Sequence, residues 1–329
     1  MNESKESGMK KMPPGKSFVT FCVVRNKEVK YKQNGEPYLV LELGDSSGRL
    51  KARIWDKIQD YSAKTPIGGI VKIQATVQVY NNRKTLKIQK IRAAKETDGV
   101  LLETLLPKSA KDAKVLKQKF LDHYRSIKNK NLLALLDTVF QDEKLAEAYY
   151  VSPGGKLWHH NYLFGMLEHV VKLLNMADLM KSHYPAINID LLKAGIICHD
   201  LGKVHEYSLN GFIDFSTEGR LIGNIAAGYG ILSEKINSLK DFPKKLRLEF
   251  LHVVLSHPGR EHHAPVAPMT LEAIVLKHLI QLDAHTNALL RICESDAVPN
   301  SEWTKYIPLL DRFIYVGKEE ATRTRNPGD

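Results

Sequence analysis

Tyr38-Leu39-Val40-Leu41-Glu42-Leu43-Gly44-Asp45-Ser46-Ser47-Gly48-Arg49-Leu50-Lys51-Ala52-Arg53-Ile54-Trp55-Asp56 reads as two strands joined by a tight turn. Asp45-Ser46-Ser47-Gly48 carries the residue types that reverse a chain. Before it, Tyr38–Leu43 is dense enough in apolar side chains to be a buried strand. After it, Leu50, Ala52 and Ile54 share one face and Lys51, Arg53 and Trp55 the other, the alternation of a half-buried strand. The same grammar extends outward. Phe18–Val24 is rich in β-formers, and Glu28–Lys32 leads into Gln33-Asn34-Gly35, where Asn-Gly signals a hairpin. After one longer connection, 56–69, Ile70–Tyr80 alternates inward through Ile73, Ala75, Val77 and Val79. Asn81-Asn82 then turns the chain into Lys84–Ile91, with Leu86 and Ile88 facing inward. About five short strands in so few residues are expected to close into a small barrel, which removes exposed edges.

Charge is divided sharply along the chain. Residues 1–97 hold 20 Lys and Arg against 9 Asp and Glu, while residues 98–329 hold 28 of each. Histidine runs the other way, with all 13 after residue 98 and 12 of them between His159 and His285. A binding module joined to a chemical one is the reading. On the barrel, Lys51, Arg53, Arg83, Lys84, Lys87 and Lys90 are expected outward beside Tyr31, Tyr38, Trp55 and Tyr80. Amines that track phosphates and rings that stack bases suit single-stranded nucleic acid. Taken one at a time, most of these aromatics are expected in the core; taken together with the charge, the pattern favours binding. Lys51, Arg53, Trp55, Arg83 and Lys87 are the candidate nucleic-acid contacts.

A composition of 43% hydrophobic and 26% charged residues excludes a largely disordered chain. No apolar run approaches the roughly 18 residues of a membrane span, and the N-terminus lacks the apolar core of a signal peptide. Cys22, Cys198 and Cys293 lie far apart, so neither a disulfide framework nor a zinc ribbon is indicated. A cytoplasmic protein is expected, and the sequence leaves a homo-oligomer open. The expected organisation is a flexible tail (1–15), a barrel (16–95), a helical connector (96–150), a helical domain (151–300) and a C-terminal tail (301–329). Pro153-Gly154-Gly155 breaks the chain before the helical domain, where Leu163–Met180, Leu191–Cys198, Leu246–Ser256 and Leu271–Leu290 carry helical patterns.

Within those helices His169, the pair His199-Asp200 and Asp283 stand out. Each alone reads as a buried polar residue. Two imidazoles and two carboxylates from separate helices are, however, what a divalent ion needs at a bundle core. That donor set suits Mn²⁺, Fe²⁺ or Zn²⁺ better than Ca²⁺.

The barrel segment resembles the OB-fold of the anticodon-binding type, through the stretch quoted at the outset. His169, His199-Asp200 and Asp283 together resemble the HD superfamily of metal-dependent phosphohydrolases, whose pattern is H…HD…D. His159-His160-Asn161-Tyr162-Leu163…Gly165-Met166-Leu167-Glu168-His169 is similar to the entry helix of YhaM-type 3′-to-5′ exoribonucleases. So are Ala194-Gly195…His199-Asp200-Leu201-Gly202-Lys203, Glu218-Gly219-Arg220-Leu221-Ile222-Gly223, Leu255-Ser256-His257 and Leu282-Asp283-Ala284. That family also carries an N-terminal OB-fold, so the resemblance spans about residues 15–290 in the same order.

The resemblance implies a multidomain protein, an all-β OB-fold barrel followed by an all-α HD-type domain. It implies a metal-dependent hydrolase that degrades single-stranded RNA from the 3′ end; nothing in the residues themselves separates RNA from DNA. Carried over residue by residue, His169, His199, Asp200 and Asp283 become metal ligands; beside them His257 is a further candidate ligand and His252 a weaker one, while His262 and His263 could substitute from the adjoining loop but read first as exposed loop histidines. Lys203 becomes the phosphate contact, and His160 or His257 the proton donor to the leaving oxygen, unless the ring ligates the ion instead. Mn²⁺ is the first expectation for the ion, with Fe²⁺, Zn²⁺, Co²⁺ and Mg²⁺ as alternatives. The chain departs from the family where Asn224 and Pro258 replace histidines associated with a second metal. Two other readings stand beside this one: a different HD phosphohydrolase acting on mononucleotides or cyclic nucleotides, against which the positive charge of residues 1–97 argues, and a single-stranded nucleic-acid-binding protein with a degraded metal site, which those departures keep open.

Overall fold

The computed structural model describes residues 8–80, 83–156, 158–259 and 264–317, the side chain of Arg83 excepted. Five strands, β1 (Ser17–Tyr31), β2 (Pro37–Asp45), β3 (Gly48–Ile54), β4 (Ile70–Tyr80) and β5 (Arg83–Ala93), close a barrel in the order β1-β2-β3-β5-β4. Neighbours are antiparallel except β3 and β5, which run parallel. The two strand pieces expected before Asn34 are one strand, with a register irregularity between Val24 and Asn26. A bulge of this kind bends and twists a strand. It lets the first half of β1 pair with β4 and the second half with β2.

Leu39, Leu41, Leu43, Leu50, Ala52 and Ile54 fill the interior as the alternation requires, opposite Ile73, Ala75 and Val77. Val79 does not join them and is 53% exposed. It lies where β4 and β5 run past the pairing of β5 with β3, so no wall stands opposite it. The connection 56–69 holds a short helix, α1 (Ile58–Lys64). Residues 8–15 are not a free tail. Met9 and Met12 are buried in the barrel core, the Met9 amide donates to Asp45 Oδ2 at 2.7 Å, and Lys84 Nζ donates to the Met12 carbonyl at 2.9 Å.

The helical half runs α2 (Ala113–Ser126), α3 (Lys130–Phe140), α4 (Glu143–Val151), α5 (Gly165–His183), α6 (Ile189–Cys198), α7 (Lys203–Glu206), α8 (Thr217–Leu221), α9 (Gly223–Ser238), α10 (Lys244–Ser256) and α11 (Leu271–Asp296). Phe120, Leu135, Val139 and Tyr149 share one core with Leu173, Ile196, Phe250 and Leu276. The expected connector is therefore part of the helical domain, because its apolar stripes find the face of α5 and α6. The expected C-terminal tail is also structured as far as Gly317, through bridges such as Trp303 with Tyr315 and Ile307 with Arg312. Its remainder lies outside the described residues.

Between α7 and α8 a two-stranded hairpin, β6 (Tyr207–Ser208) and β7 (Asp214–Phe215), reaches back to the barrel. Its tip places Phe212 under the Arg25 guanidinium, 4.8 Å away. Gly211 adopts φ +87°, and a Cβ there would lie 2.6 Å from Val23 Cγ1 and 2.9 Å from the Gly68 carbonyl. Only glycine permits that approach. Among the described residues no helix is long and apolar enough to cross a membrane.

Gly202 seats the His-Asp turn against α9. A Cβ there would stand 1.9 Å from the Asn224 carbonyl and 2.5 Å from the Gly228 amide, both backbone atoms that cannot give way. Gly202→Ala is expected to destabilise the helical domain by about 1–3 kcal/mol or more. Gly230→Ala, where a Cβ meets nothing within 4 Å, is expected to stabilise α9 by up to about 1 kcal/mol. Denaturant midpoints of the two variants measure the contrast, and equal shifts would show that this contact does not restrain the turn.

Candidate functional site

Two helices end on a histidine. His199 caps α6 and His257 caps α10. Each ring donates Nδ1–H to the carbonyl three residues back, Ile196 O at 2.8 Å and Val254 O at 2.6 Å. The last carbonyls of a helix lack intrahelical partners, so the helix ends themselves set these tautomers. His169, within α5, donates Nδ1–H to Asp283 Oδ2 at 2.6 Å. All three rings therefore present an Nε2 lone pair away from the group that holds them.

Those lone pairs converge. Donor atoms of His169, His199 and Asp200 lie within 4.8 Å of one another, all buried. Nε2 of His169 and of His199 makes no hydrogen bond; His199 Nε2 stands 3.1 Å from Asp200 Oδ2 and His257 Nε2 3.9 Å from Asp200 Oδ1. Buried polar atoms are ordinarily satisfied, so orphaned imidazole nitrogens beside a carboxylate fit a divalent ion. His160, His169 and Asp283 form a second close group, but its atoms satisfy one another. Asp283 Oδ2 accepts from His160 Nε2 at 2.7 Å as well as from His169. The first group is the one with donors to spare.

This arrangement sets His160 and Asp283 apart from the first group. His160 does not reach the cavity as a proton donor, because its ring is buried between Asp283 and the Tyr162 hydroxyl, 2.7 Å from Nδ1. Tyr162 in turn donates to Glu168 Oε2 at 3.0 Å. Asp283 lies behind His169 and not beside Asp200, the position from which a carboxylate orients a ligating imidazole and raises its basicity. His252 is engaged elsewhere, accepting from the Met269 amide at 3.0 Å. His262 and His263 lie outside the described residues.

Burial sets the protonation states. It pushes His169 down to about 4, against the opposing hydrogen bond to Asp283, and His257 down to about 3. Both are neutral near pH 7, as a metal ligand must be. Burial alone would raise Asp200 and Asp283. The ammonium of Lys203 works against this at Asp200, and hydrogen bonds from His160 and His169 outweigh it for Asp283, so both carboxylates stay ionised. Lys203 Nζ is 2.7 Å from Asp200 Oδ2 and also donates to the Gly154 carbonyl. Asn224 Nδ2 donates to Asp200 Oδ1 at 3.3 Å.

A cavity of about 320 Å³ opens beside the cluster, lined by His159, His199, Asp200, Lys203, Asn224 and His257 among others. That is the small end of ligand-site volumes. A larger cavity of about 820 Å³, beside Leu106, Val151, Phe164 and Tyr207, contains none of these donors. Sequence reasoning gave no role to His159. The doublet His159-His160 was the available signal, but which ring faces the cavity depends on a left-handed turn at His160 (φ 45°), with the rings standing at 86° to each other. His159–Phe164 precede α5 and do not belong to an entry helix.

On the barrel, Lys51, Arg53 and Lys87 are exposed on β3 and β5, with Arg53 opposite Lys87 in the parallel register. Tyr31, Trp55 and Tyr80 are also exposed, so the expectation that most of these aromatics enter the core is overturned. Trp55 stacks on Tyr38 with centroids 4.6 Å apart, and the Arg53 guanidinium lies 4.8 Å from the Tyr80 ring. A cleft of about 700 Å³ runs past Arg53, Trp55, Tyr80 and Lys87. Lys84 is turned toward the N-terminal segment, and the Arg83 side chain lies outside the described residues.

Comparison with known proteins agrees with both halves. Residues 23–94 match the family model described as OB-fold nucleic acid binding domain, and residues 166–284 match the HD domain. The chain is 31% identical over 299 residues to 3′-5′ exoribonuclease YhaM of Geobacillus sp. (strain WCH70), covering 90% of each chain. It is 31% identical over 285 residues to the protein of that name from Listeria monocytogenes serotype 4b (strain CLIP80459), covering 84% of this chain and 88% of the other. The Bacillus subtilis (strain 168) protein of that name is 31% identical over 299 residues, with 90% and 93% covered. Matched over nearly its whole length and in both domains, the chain belongs to the YhaM 3′-5′ exoribonuclease family.

Proposed function

We propose that this protein is a metal-dependent 3′-to-5′ exoribonuclease that hydrolyses the terminal phosphodiester of single-stranded RNA. The observation that carries the reading is the buried convergence of His169 Nε2, His199 Nε2 and the Asp200 carboxylate beside a cavity. The activity named for the relatives supports the RNA substrate and the direction of attack. A nucleotide phosphohydrolase has no use for a cationic aromatic barrel face, and a degraded site has no reason to keep orphaned, tautomer-fixed imidazoles.

His169, His199 and Asp200 would hold the ion, with His257 as a fourth donor and Asp283 orienting His169. A divalent ion held there supplies Lewis acidity, making water more acidic and drawing charge from a phosphoryl oxygen. Asn224 and Lys203 present N–H groups to Asp200, and Pro258 has no ligand to offer; this supports one ion over two. The carboxylate admits Mn²⁺, the imidazoles suit Fe²⁺, Zn²⁺ or Co²⁺ equally, and Mg²⁺ is the poorest match to this donor set. Lys203 keeps one of its three N–H bonds free of Asp200 and Gly154. Directed at a phosphoryl oxygen, it offsets charge as that charge builds. The barrel holds the upstream strand through Lys51, Arg53 and Lys87, with bases stacked at Trp55. The three thiols are free, which supports a reducing cytoplasm.

His199→Ala and Asp200→Ala are each expected to lower bound metal, read by elemental analysis, and to abolish shortening of 3′-terminal RNA. Metal-replete variants that still trim RNA would rule out this centre. Replacing Lys51, Arg53 and Lys87 together with Ala should weaken RNA affinity and flatten its logarithmic salt slope by about 2, at roughly 0.7 per lost phosphate contact. Hydrolysis of a dinucleotide should be unchanged, and an equal loss on both substrates would place those residues in folding or catalysis. Chelation should lower the melting temperature of the helical domain, with Mn²⁺ restoring it, because an ion that binds only the folded state stabilises it by mass action. An unchanged melting temperature on chelation and re-addition would argue against an ion at this cluster.

A further inference from the structure

His159 has a buried imidazole for which neither the fold nor the proposed metal centre has a use. Nδ1 and Nε2 are both sequestered from solvent and neither has a hydrogen-bond partner. The ring lines the same cavity as Lys203, Asp200 and His257, and its centroid is 5.3 Å from that of His169. It does not join His169, His199 and Asp200 in the group whose donor atoms lie within 4.8 Å of one another.

The backbone around His159 is held firmly while the ring is left free. Arg291 Nη2 donates to the Trp158 carbonyl at 2.8 Å, and the His160 amide donates to Asn287 Oδ1 at 2.8 Å. Asp283, which holds the His160 ring, completes the row. Asp283, Asn287 and Arg291 recur every four residues on α11 and so share one helix face. That face fixes the peptide on either side of His159 and the ring of its neighbour. Desolvating an imidazole without any partner is unfavourable, and a ligand that satisfies the ring offsets it.

We propose that His159 is a substrate-contacting residue, donating a ring N–H to a non-bridging oxygen of the scissile phosphate across the cavity from Lys203. The inference rests on the exoribonuclease reading of the same cavity. A phosphate is the partner the surroundings select, because Lys203 and an adjoining divalent ion both favour an anion there and a neutral imidazole retains one donor.

The test compares wild type, His159→Ala and His159→Gln as full-length, Mn²⁺-loaded proteins. Three quantities are read: bound metal, kcat on a single-stranded oligoribonucleotide, and affinity for 5′-AMP as a phosphate probe. His159→Ala is expected to hold as much metal as wild type, to lose about 10- to 100-fold in kcat, and to bind 5′-AMP correspondingly more weakly, the range for a hydrogen bond to a charged group. His159→Gln, which keeps a donor, should recover part of both. Metal lost in step with activity would make His159 a ligand and overturn the proposal. Unchanged kcat and 5′-AMP affinity, or no 5′-AMP binding by wild type, would overturn it as well. Wild type that binds 5′-AMP through His159 yet leaves RNA whole would defeat the exoribonuclease reading and leave this contact standing.

Discussion

The centre of the helical domain is organised around imidazole nitrogens that are buried and that no protein group satisfies. Desolvating such atoms is unfavourable, so the surrounding structure has to hold them in place. It does so from behind. Ile196 O, Val254 O and Asp283 take the Nδ1–H of His199, His257 and His169, leaving Nε2 of each as the free lone pair. Two of those acceptors are helix-end carbonyls that would otherwise need a partner of their own. One hydrogen bond per ring thus satisfies a helix terminus and sets a tautomer together.

The rest of the site follows from that constraint. Asp283 is withdrawn from the cavity because His160 and His169 both donate to it. α11 then carries Asn287 and Arg291 on the same face, which fasten the peptide around His159. Gly202 allows the His199-Asp200 turn to press against α9, and Lys203 enters from the start of α7. The hairpin that follows ends on the barrel at Val23, Arg25 and Gly68. The segment that carries Asp200 and Lys203 is thereby continuous with the contact between the two domains.

Much of this architecture was legible in the residues. Period-two alternation at Leu50, Ala52 and Ile54 gave the inward face of β3, since a side chain's face in a strand depends on position alone. The HD pair and His169 marked the candidate metal centre, because few other arrangements place such donors on adjoining apolar helices. What escaped the reading was decided by partners distant in sequence. Met9 and Met12 look like part of a polar tail until Asp45 and the open barrel end are present to receive them. Phe120 and Tyr149 look like a connector's stripe until α5 and α6 cover them.

Sequence by itself determined the two domains, their order, the charge that separates them and the candidate donor residues. These are local properties, carried by periodicity, composition and short motifs. Only the tertiary structure decided which nitrogen of each histidine is free, and that His159 faces the cavity while His160 is turned toward Asp283. It also decided that Asp283 stands behind His169 and that Trp55 and Tyr80 face outward. Those outcomes depend on which carbonyl, carboxylate or opposing wall lies within about 3–5 Å of a side chain, and such neighbours are assembled only when the chain has folded.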